Sequence, residues 1–405
     1  MIYPHYNRSD FLGSEREKLW TKTFIITSLV NFFLMLSMFL LIIIMAGYAI
    51  DTYKASTSLA GFVSSIFIFG ALIGRLYAGS KMNELGTKRI LMVGIIIFLI
   101  LSIFYFFNIN IYLLLIVRVV QGIGVGLATT ATGTIVSQII PPSRTGEGIG
   151  YFSSSVVLAQ AIGPLIGILL IQYFSYTYVF IFSLTIGIVC FLFAFIIQAP
   201  TIEVEETETK RRTFKLSNYL ERSSIPIASV MLVIGITYSS ILSFISTYAE
   251  TIHLVQAGTF YFVVYAIVVL LTRPISGKVL DKFGGNAVIY PTIIIFAIGM
   301  FFISKATSTS TFLFAAALIG LGYGNFQSST QAIAIQRAPI ERMGLANATY
   351  FIFYDFSLGL GPLFLGALIP LVGFRELYFY LIFFIIFGLL LYYIAHGRLE
   401  KKSDF

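Results

Sequence analysis

Apolar residues run along this chain in blocks of about 20, and polar residues are confined to short gaps between them. A helix of about that length crosses a bilayer core of about 30 Å. Twelve blocks are readable, at 23–48, 57–79, 90–108, 111–136, 149–171, 176–198, 225–248, 258–280, 287–305, 311–335, 346–370 and 375–396. Lipid offers the backbone no hydrogen-bond partner, so runs of this length predict helices, whose polar groups are satisfied within the segment. The fold expected is all-α and integral to a membrane. The gaps are too short to hold a soluble domain. The longest, 199–224, carries Glu203, Glu205, Glu206, Glu208, Lys210, Arg211 and Arg212 without apolar periodicity, and reads as a solvated linker.

The blocks repeat. Arg75, Gly79 and Gly86 recur as Arg273, Gly277 and Gly284; Gly122, Gly124 and Gly126 as Gly320, Gly322 and Gly324. Pro141, Arg144 and Gly146 recur as Pro339, Arg342 and Gly344, and Gly163-Pro164 as Gly361-Pro362. Every offset is 198, so one six-helix unit has been duplicated without net insertion. The organisation expected is a terminal segment 1–22, a bundle 23–198, the linker 199–224, a second bundle 225–396 and a tail 397–405. Twelve transmembrane helices in two pseudo-symmetric six-helix bundles are how secondary transporters that rock two halves about a central site are built.

Composition supports the membrane reading: 58% of residues are hydrophobic and 11% charged, against about 25% charged in globular proteins. Cys190 is the one cysteine, which excludes an intrachain disulfide or a cysteine-based metal site. Residues 1–22 mix Arg8, Arg16, Lys18 and Lys22 with Asp10, Glu15 and Glu17 and show no cleavage site, so the first block is expected to remain as an anchor. The net charge of +8 does not point to nucleic acid, because its distribution is that of topology. Of 26 lysines and arginines, twenty lie in the two terminal segments and the even-numbered gaps. Three (Lys54, Lys305, Arg375) lie in the odd-numbered gaps. That bias predicts both termini on the cytoplasmic side, and the compact gaps suit the plasma membrane of a bacterial cell.

Residues 75–89 read Arg75-Leu-Tyr-Ala-Gly79-Ser-Lys-Met-Asn83-Glu84-Leu-Gly86-Thr-Lys88-Arg89, and 273–284 read Arg273-Pro-Ile-Ser-Gly277-Lys-Val-Leu-Asp281-Lys282-Phe-Gly284. Glycine lets helices approach closely and permits a left-handed turn, and the charged cluster can cap a helix end. Both stretches resemble the cytoplasmic loop signature of the major facilitator superfamily. That resemblance implies the major facilitator fold and a latch that holds the two halves together on the cytoplasmic side. The first copy departs from the pattern, with Asn83 where the family has Asp and Glu84 where it has Arg. Asn caps a helix without bringing charge, so this latch is expected to be the weaker one unless Glu84 supplies the carboxylate.

Polar groups inside the blocks are the functional candidates. Arg118, in Arg118-Val-Val-Gln121-Gly122-Ile-Gly124, resembles the superfamily's fourth-helix motif, whose Arg is implicated in proton coupling; its counterpart in the second half is Ala316. Asp355 is the acidic residue well inside a block, and intramembrane carboxylates mark proton relays. Asp355 is read as the proton-coupling acid, with Arg118 tuning it; the competing role is a static partner of an arginine. Glu250, Asp51 and His253 read as rim or loop residues. Gly163, Pro164 and Gly167 resemble the family's antiporter motif, with Ala159 and Ile168 replacing two of its glycines, and Gly361-Pro362 repeats the core. A bend at the interface of the halves is expected there. Asn31, Gln121, Gln160, Tyr261, Tyr265, Asn325, Gln327, Gln331 and Tyr354 are candidate lining of the substrate cavity, and Ser239, Ser240 and Ser243 belong with them.

No phosphate loop, metal-ligand cluster or nucleophile–base pair is present in the sequence, so neither an enzyme, a cofactor nor a metal is expected. The twelve-span layout and the Gly-Pro motif look like the drug:proton antiporter branch, although the first block lacks the proline and acid that many such exporters carry. The resemblance implies a monomeric, proton-coupled exporter of small amphipathic or drug-like molecules, of the kind that gives multidrug resistance. Its partners would be substrate, protons and lipid. The alternatives are export of an endogenous metabolite or siderophore-like compound, proton-coupled uptake, or a non-transporting sensor.

Overall fold

A computed structural model describes residues 18–107, 110–200 and 219–400. Residues 1–17, the acidic and basic run of the linker from Glu203 to Arg212, and 401–405 lie outside the described residues.

Every long element is a helix, and each grows from an apolar block. The first half comprises α1 (Lys22–Tyr53), α2 (Thr57–Leu85), α3 (Thr87–Ile103), α4 (Ile111–Ile139), α5 (Thr145–Tyr173) and α6 (Tyr176–Ile196). The second comprises α7 (Ile225–Thr251), α8 (Val255–Phe283), α9 (Asn286–Ser304), α10 (Thr309–Ile319), α11 (Asn325–Gln336), α12 (Met343–Val372) and α13 (Phe374–Ala395). Among the described residues, eleven helices are long and apolar enough to span a bilayer. The twelfth span is α10 and α11 together, divided by a π-helical segment, Gly320–Gly324. A helix of 29 residues is about 43 Å long, so several helices outrun the hydrocarbon core and tilt or project.

Capping fixes where several begin. Thr21 accepts the Phe24 N–H at 3.2 Å, Asn110 the Leu113 N–H at 2.8 Å, and Ser308 the Thr311 N–H at 3.3 Å. The stretch from Gly79 onward, expected as a loop, is helical to Leu85, and the whole turn into α3 is Gly86 at φ 81°. Its repeat is equally tight, with Gly284 at φ 84°. A helix satisfies its own carbonyls up to the last turn, so a polar sequence leaving the membrane needs no loop until its direction must change.

Two apolar cores form within α1–α6, one around Leu34, Phe98 and Val125 and one around Leu41, Val63 and Phe180. A third fills α7–α13 and takes in Val136, Ile140, Ile149 and Phe152 from the first half. The halves therefore share packing at one end. That end carries the turns after α2, α4, α8 and α11 and is called the basic face here. Towards the opposite face they part. In α5, Thr145–Val157 is almost wholly buried whereas Leu165, Ile168 and Leu169 are exposed; α12 behaves the same way either side of Ile352.

Candidate functional site

Between the halves lies a cavity of about 460 Å³, walled by α1, α2, α5, α7, α8 and α12. Its lining is mostly apolar, including Met35, Met38, Phe39, Ile68, Phe262 and Phe351, with Gln160, Ser243, Ser246 and Tyr354 as polar contributions. Its charged groups are Arg75 and Asp355.

These two are bonded to each other. The Nε of Arg75, on α2, donates to Asp355 Oδ2, on α12, at 2.7 Å, and Arg75 Nη1 donates to Thr129 Oγ1 on α4 at 3.2 Å. The guanidinium also lies 4.7 Å from the centroid of the Phe351 ring. A charge in this setting is tolerable only when paired and hydrogen-bonded. Asp355 keeps 13% side-chain exposure, toward space it lines, while Arg75 keeps 4%. The pair thus joins the halves and leaves part of the Asp355 side chain uncovered beside the cavity.

Asp355 is accordingly the partner of Arg75 and not of Arg118, which was expected to tune it. Arg118 is fully buried among first-half residues. Its Nη1 donates to Gln121 Oε1 at 3.2 Å and its Nε to the Val63 carbonyl at 3.4 Å, and it stacks on Phe67 at 4.6 Å. Gln121 in turn accepts from the Tyr105 hydroxyl at 2.6 Å and donates to Ser102 at 3.1 Å. Among the described residues Arg118 forms no ion pair with a carboxylate.

The duplication clarifies the pair. Arg273 is the repeat of Arg75, and Gln327 that of Thr129. Arg273 Nη2 donates to Gln327 Oε1 at 2.6 Å and its Nε to the Gly324 carbonyl at 3.0 Å, so both arginines bond to equivalent positions. At the position equivalent to Asp355, however, stands Val157. The scaffold for the arginine exists twice, and the carboxylate once. Thr129 was missed in the sequence reading; its offset from Gln327, itself a candidate, was the signal that would have found it.

Most residues expected to line the cavity are instead packed or hydrogen-bonded between neighbouring helices, Gln331 across the two halves. Asn31 donates to Ser155 at 3.0 Å and accepts from Thr132 at 3.1 Å. Gln331 accepts from Ser153 at 2.9 Å and donates to Asn347 at 3.1 Å. Asn325 is bonded to Thr272 and Ser276, each at 2.8 Å. Tyr261 packs against Phe312 and Tyr265 beside Tyr238, both buried. Ser239 and Ser240 bond back to their own helix, whereas Ser243 lines the cavity. In hydrocarbon an unmet amide costs several kcal/mol, so polar side chains pair wherever a neighbouring helix allows. Gln160 and Tyr354 do face the cavity. Of the residues read as rim or loop groups, Glu250 is exposed, Asp51 accepts from the Tyr176 hydroxyl at 2.5 Å, and His253 sits at φ 60° after α7.

At the basic face, Asp281 of α8 accepts the N–H groups of Gly146 and Glu147, at 2.6 and 2.9 Å, and so caps the start of α5 with a negative charge. A methyl on Gly277 would stand 2.5 Å from the Gly146 carbonyl oxygen, which is the closeness glycine permits here. Lys278 and Arg144 complete the contact through Glu147, at 3.6 and 2.8 Å. Lys282 lies over the Phe283 ring at 5.0 Å. The first copy is built differently. Gly79 packs on Leu345 and Ala348 of α12, but Asn83 donates its Nδ2 to the Glu341 carbonyl at 2.7 Å and, among the described residues, caps no N–H. Glu84 is held by Lys81 of its own helix at 2.6 Å, Lys88 bonds the Phe195 carbonyl at 3.0 Å, and Arg89 is exposed.

The glycines of the Gly-Pro motifs pack away from the interface of the halves, although Pro164 reaches the cavity there. Methyls on Gly163 and Gly167 would meet Leu36 and Ile44 of α1, at 3.0 and 2.9 Å, and one on Gly361 would meet Ser239 of α7. They seat α5 on α1 and α12 on α7, each within its own half, and Pro164 also borders the cavity. Pro362 lies within α12.

Comparison with known proteins fits this architecture. The family model described as Major Facilitator Superfamily matches residues 27–304 and 259–404. An uncharacterized MFS-type transporter of Methanocaldococcus jannaschii is 26% identical over 370 residues, which is 88% of this chain and 93% of the relative. A fungal efflux pump of Gibberella fujikuroi is 23% identical over 145 residues, 36% of this chain and 26% of the pump. Among solved structures, the human organic anion transporter MFSD10 superposes with a TM-score of 0.73 at 12% identity, covering 91% of this chain and 98% of that one. The proton:xylose symporter XylE superposes with a TM-score of 0.70 at 15% identity, covering 92% and 94%; at these identities the likeness is one of fold. A pseudo-duplicated helical chain with a charged pair in a cavity between its halves, matched by this family model along almost its whole length, belongs to the Major Facilitator Superfamily of membrane transporters.

Proposed function

We propose that this transporter is a secondary active, proton-coupled exporter of small amphipathic organic molecules, working by alternating access. The observation that carries the reading is the Arg75–Asp355 bond, which ties α2 to α12 at the wall of an open cavity. With Asp355 ionised, the pair holds the halves together on the basic side while the cavity faces away from it. A proton delivered from the open side converts the carboxylate to a neutral acid. Arg75 then loses its counter-charge, and the tie that favours this conformation weakens. The protonated protein turns toward the basic face, releases the proton there and takes up substrate. Proton entry and substrate exit thereby share the conformation open away from the basic face, and proton release and substrate uptake share the other, which is antiport.

The positive-inside bias supports placing the basic face in the cytoplasm of the plasma membrane, with residues 1–22 and 397–405 on that side. Residues 23–198 and 225–396 act as the rocking halves, joined by 199–224, and one chain suffices for a cavity. Arg118 acts indirectly, by holding α4 against α2 through the Val63 carbonyl. The test uses inverted vesicles with an imposed inside-acid gradient and a panel of lipophilic cations and neutral amphiphiles. Gradient collapse on adding a compound, abolished by Asp355→Asn, is the expected result. Collapse that persists in the variant removes Asp355 from the proton path, and compound-driven proton entry in the opposite sense would assign uptake.

A further inference from the structure

Behind the α2–α12 seam, on the side away from the central cavity, runs a crevice of about 340 Å³. Phe62, Phe69 and Leu72 of α2 face Gly359, Leu360 and Leu363 of α12 across it. Phe69 and Leu363 are 60% and 68% exposed, as residues turned to hydrocarbon are, so the crevice opens sideways into the bilayer. Ile68 and Asp355 line both this crevice and the central cavity. They are the partition between lipid and cavity.

The seam widens in one direction. Near the basic face a methyl on Gly79 would meet the Ala348 methyl at 2.7 Å. Beyond the Arg75–Asp355 bond, methyls on Gly359, one turn past Asp355, and on Gly61 would meet nothing within 4 Å. The helices touch, are tied once, and then diverge. Of the two residues in the partition, one is the carboxylate that carries the proposed coupling.

We propose that the α2–α12 seam is a lateral portal and that the cargo is a lipid-partitioned amphiphile. Its polar head reaches the Arg75–Asp355 pair, and its hydrocarbon tail follows through the seam, past Phe69 and Leu363, into the apolar central cavity. This rests on the reading of that pair as the transport site and deepens it by naming the cargo's chemistry and route. Such a molecule keeps its tail in apolar surroundings throughout, while its head gains the paired charges of an otherwise apolar wall. Because the pair carries no net charge, it suits a head with both donor and acceptor character, zwitterionic or neutral, over a bare ion.

The test reads tail entry without using transport. The full chain carrying Trp20→Phe and Ser243→Trp places one tryptophan in the central cavity, and is reconstituted with phosphatidylcholine bearing dibrominated acyl chains. In a parallel arm the bilayer is unbrominated and holds a trace of dibrominated lysophosphatidylcholine. The expected result is loss of tryptophan fluorescence in one or both arms, reversed by Gly359→Phe or by Gly61→Phe. At both positions an added Cβ meets nothing within 4 Å, and Gly359 lines the crevice itself. Quenching by the trace probe assigns a single-chain cargo, and quenching that needs brominated bulk lipid assigns the bilayer lipid itself. Absence of quenching in folded protein, or quenching that survives both glycine variants, overturns the portal. Proton coupling does not enter this readout, so a failure of Asp355→Asn to uncouple transport would leave the portal standing.

Discussion

Arg75 and Asp355 lie 280 positions apart in the chain and 2.7 Å apart in space. Taking either charge out of water is costly, and their attraction with the Thr129 bond returns that cost only while both are present. Removing one partner of a buried pair typically costs about 3–5 kcal/mol, because the other charge is stranded. Arg75→Leu or Asp355→Leu should therefore each lower the unfolding temperature of purified protein markedly. The double variant Arg75→Leu/Asp355→Leu should recover much of the loss while remaining inactive. Thermal unfolding of all four proteins in one detergent checks this, and a double variant less stable than both singles would contradict it. Arg75→Lys keeps the charge but loses the planar fork that serves Asp355 and Thr129 together, so coupled transport should fall sharply even if the variant folds.

Helices α8 and α5 meet at the basic face through a carboxylate cap, and α2 meets the turn before α12 through an amide donating to a carbonyl. The two latches are thus chemically unlike despite their common origin. Asn83→Asp restores the family's residue, but it should not tighten the contact. A carboxylate cannot donate to the Glu341 carbonyl, and the lost bond should cost about 0.5–1.5 kcal/mol. Asp281→Asn keeps one acceptor, turns the other oxygen into a donor facing a backbone N–H and drops the charge at the start of α5, a loss of at least about 1 kcal/mol, or roughly fivefold in a two-state ratio. Gly277→Ala should act more strongly, through collision with the Gly146 carbonyl. All three should shift the protein away from the conformation closed at the basic face. With Cys190 buried, a cysteine placed at Ser243 reports this by its labelling with an impermeant thiol reagent from the opposite face, which should slow in each variant. Faster labelling in Asn83→Asp would show that charge, not donation, governs the first latch.

The whole molecule is a V that is closed where the basic turns gather and open at the other end. If the positive-inside bias sets this orientation, a reporter enzyme fused after Phe405 should be active only in its cytoplasmic form, and a periplasmic-type reporter there should stay silent. Much of the molecule was legible in the chain. Each span follows from a local run of apolar residues, because lipid forces every backbone group to find its partner within its own segment. The duplication was legible because 198 separates Arg75 from Arg273 and Gly163-Pro164 from Gly361-Pro362 without interruption. Asp355 was legible as a lone acid in apolar surroundings. Its partner was not: Arg75 and Arg118 are both arginines inside apolar segments, and which one reaches α12 depends on how the halves dock. The same holds for Asn31, Gln331 and Asn325, whose bonding to neighbouring helices withdraws them from the cavity. The π segment at Gly320–Gly324 also escaped notice, since its glycines match Gly122, Gly124 and Gly126 of an unbroken α4. The sequence by itself determined the spans, the repeat and the membrane-embedded acid, since these depend on local composition and on solvation by lipid. The tertiary structure alone decided which charges meet, which glycines join the halves and where the seam opens. Those depend on distances between residues that the chain holds hundreds of positions apart.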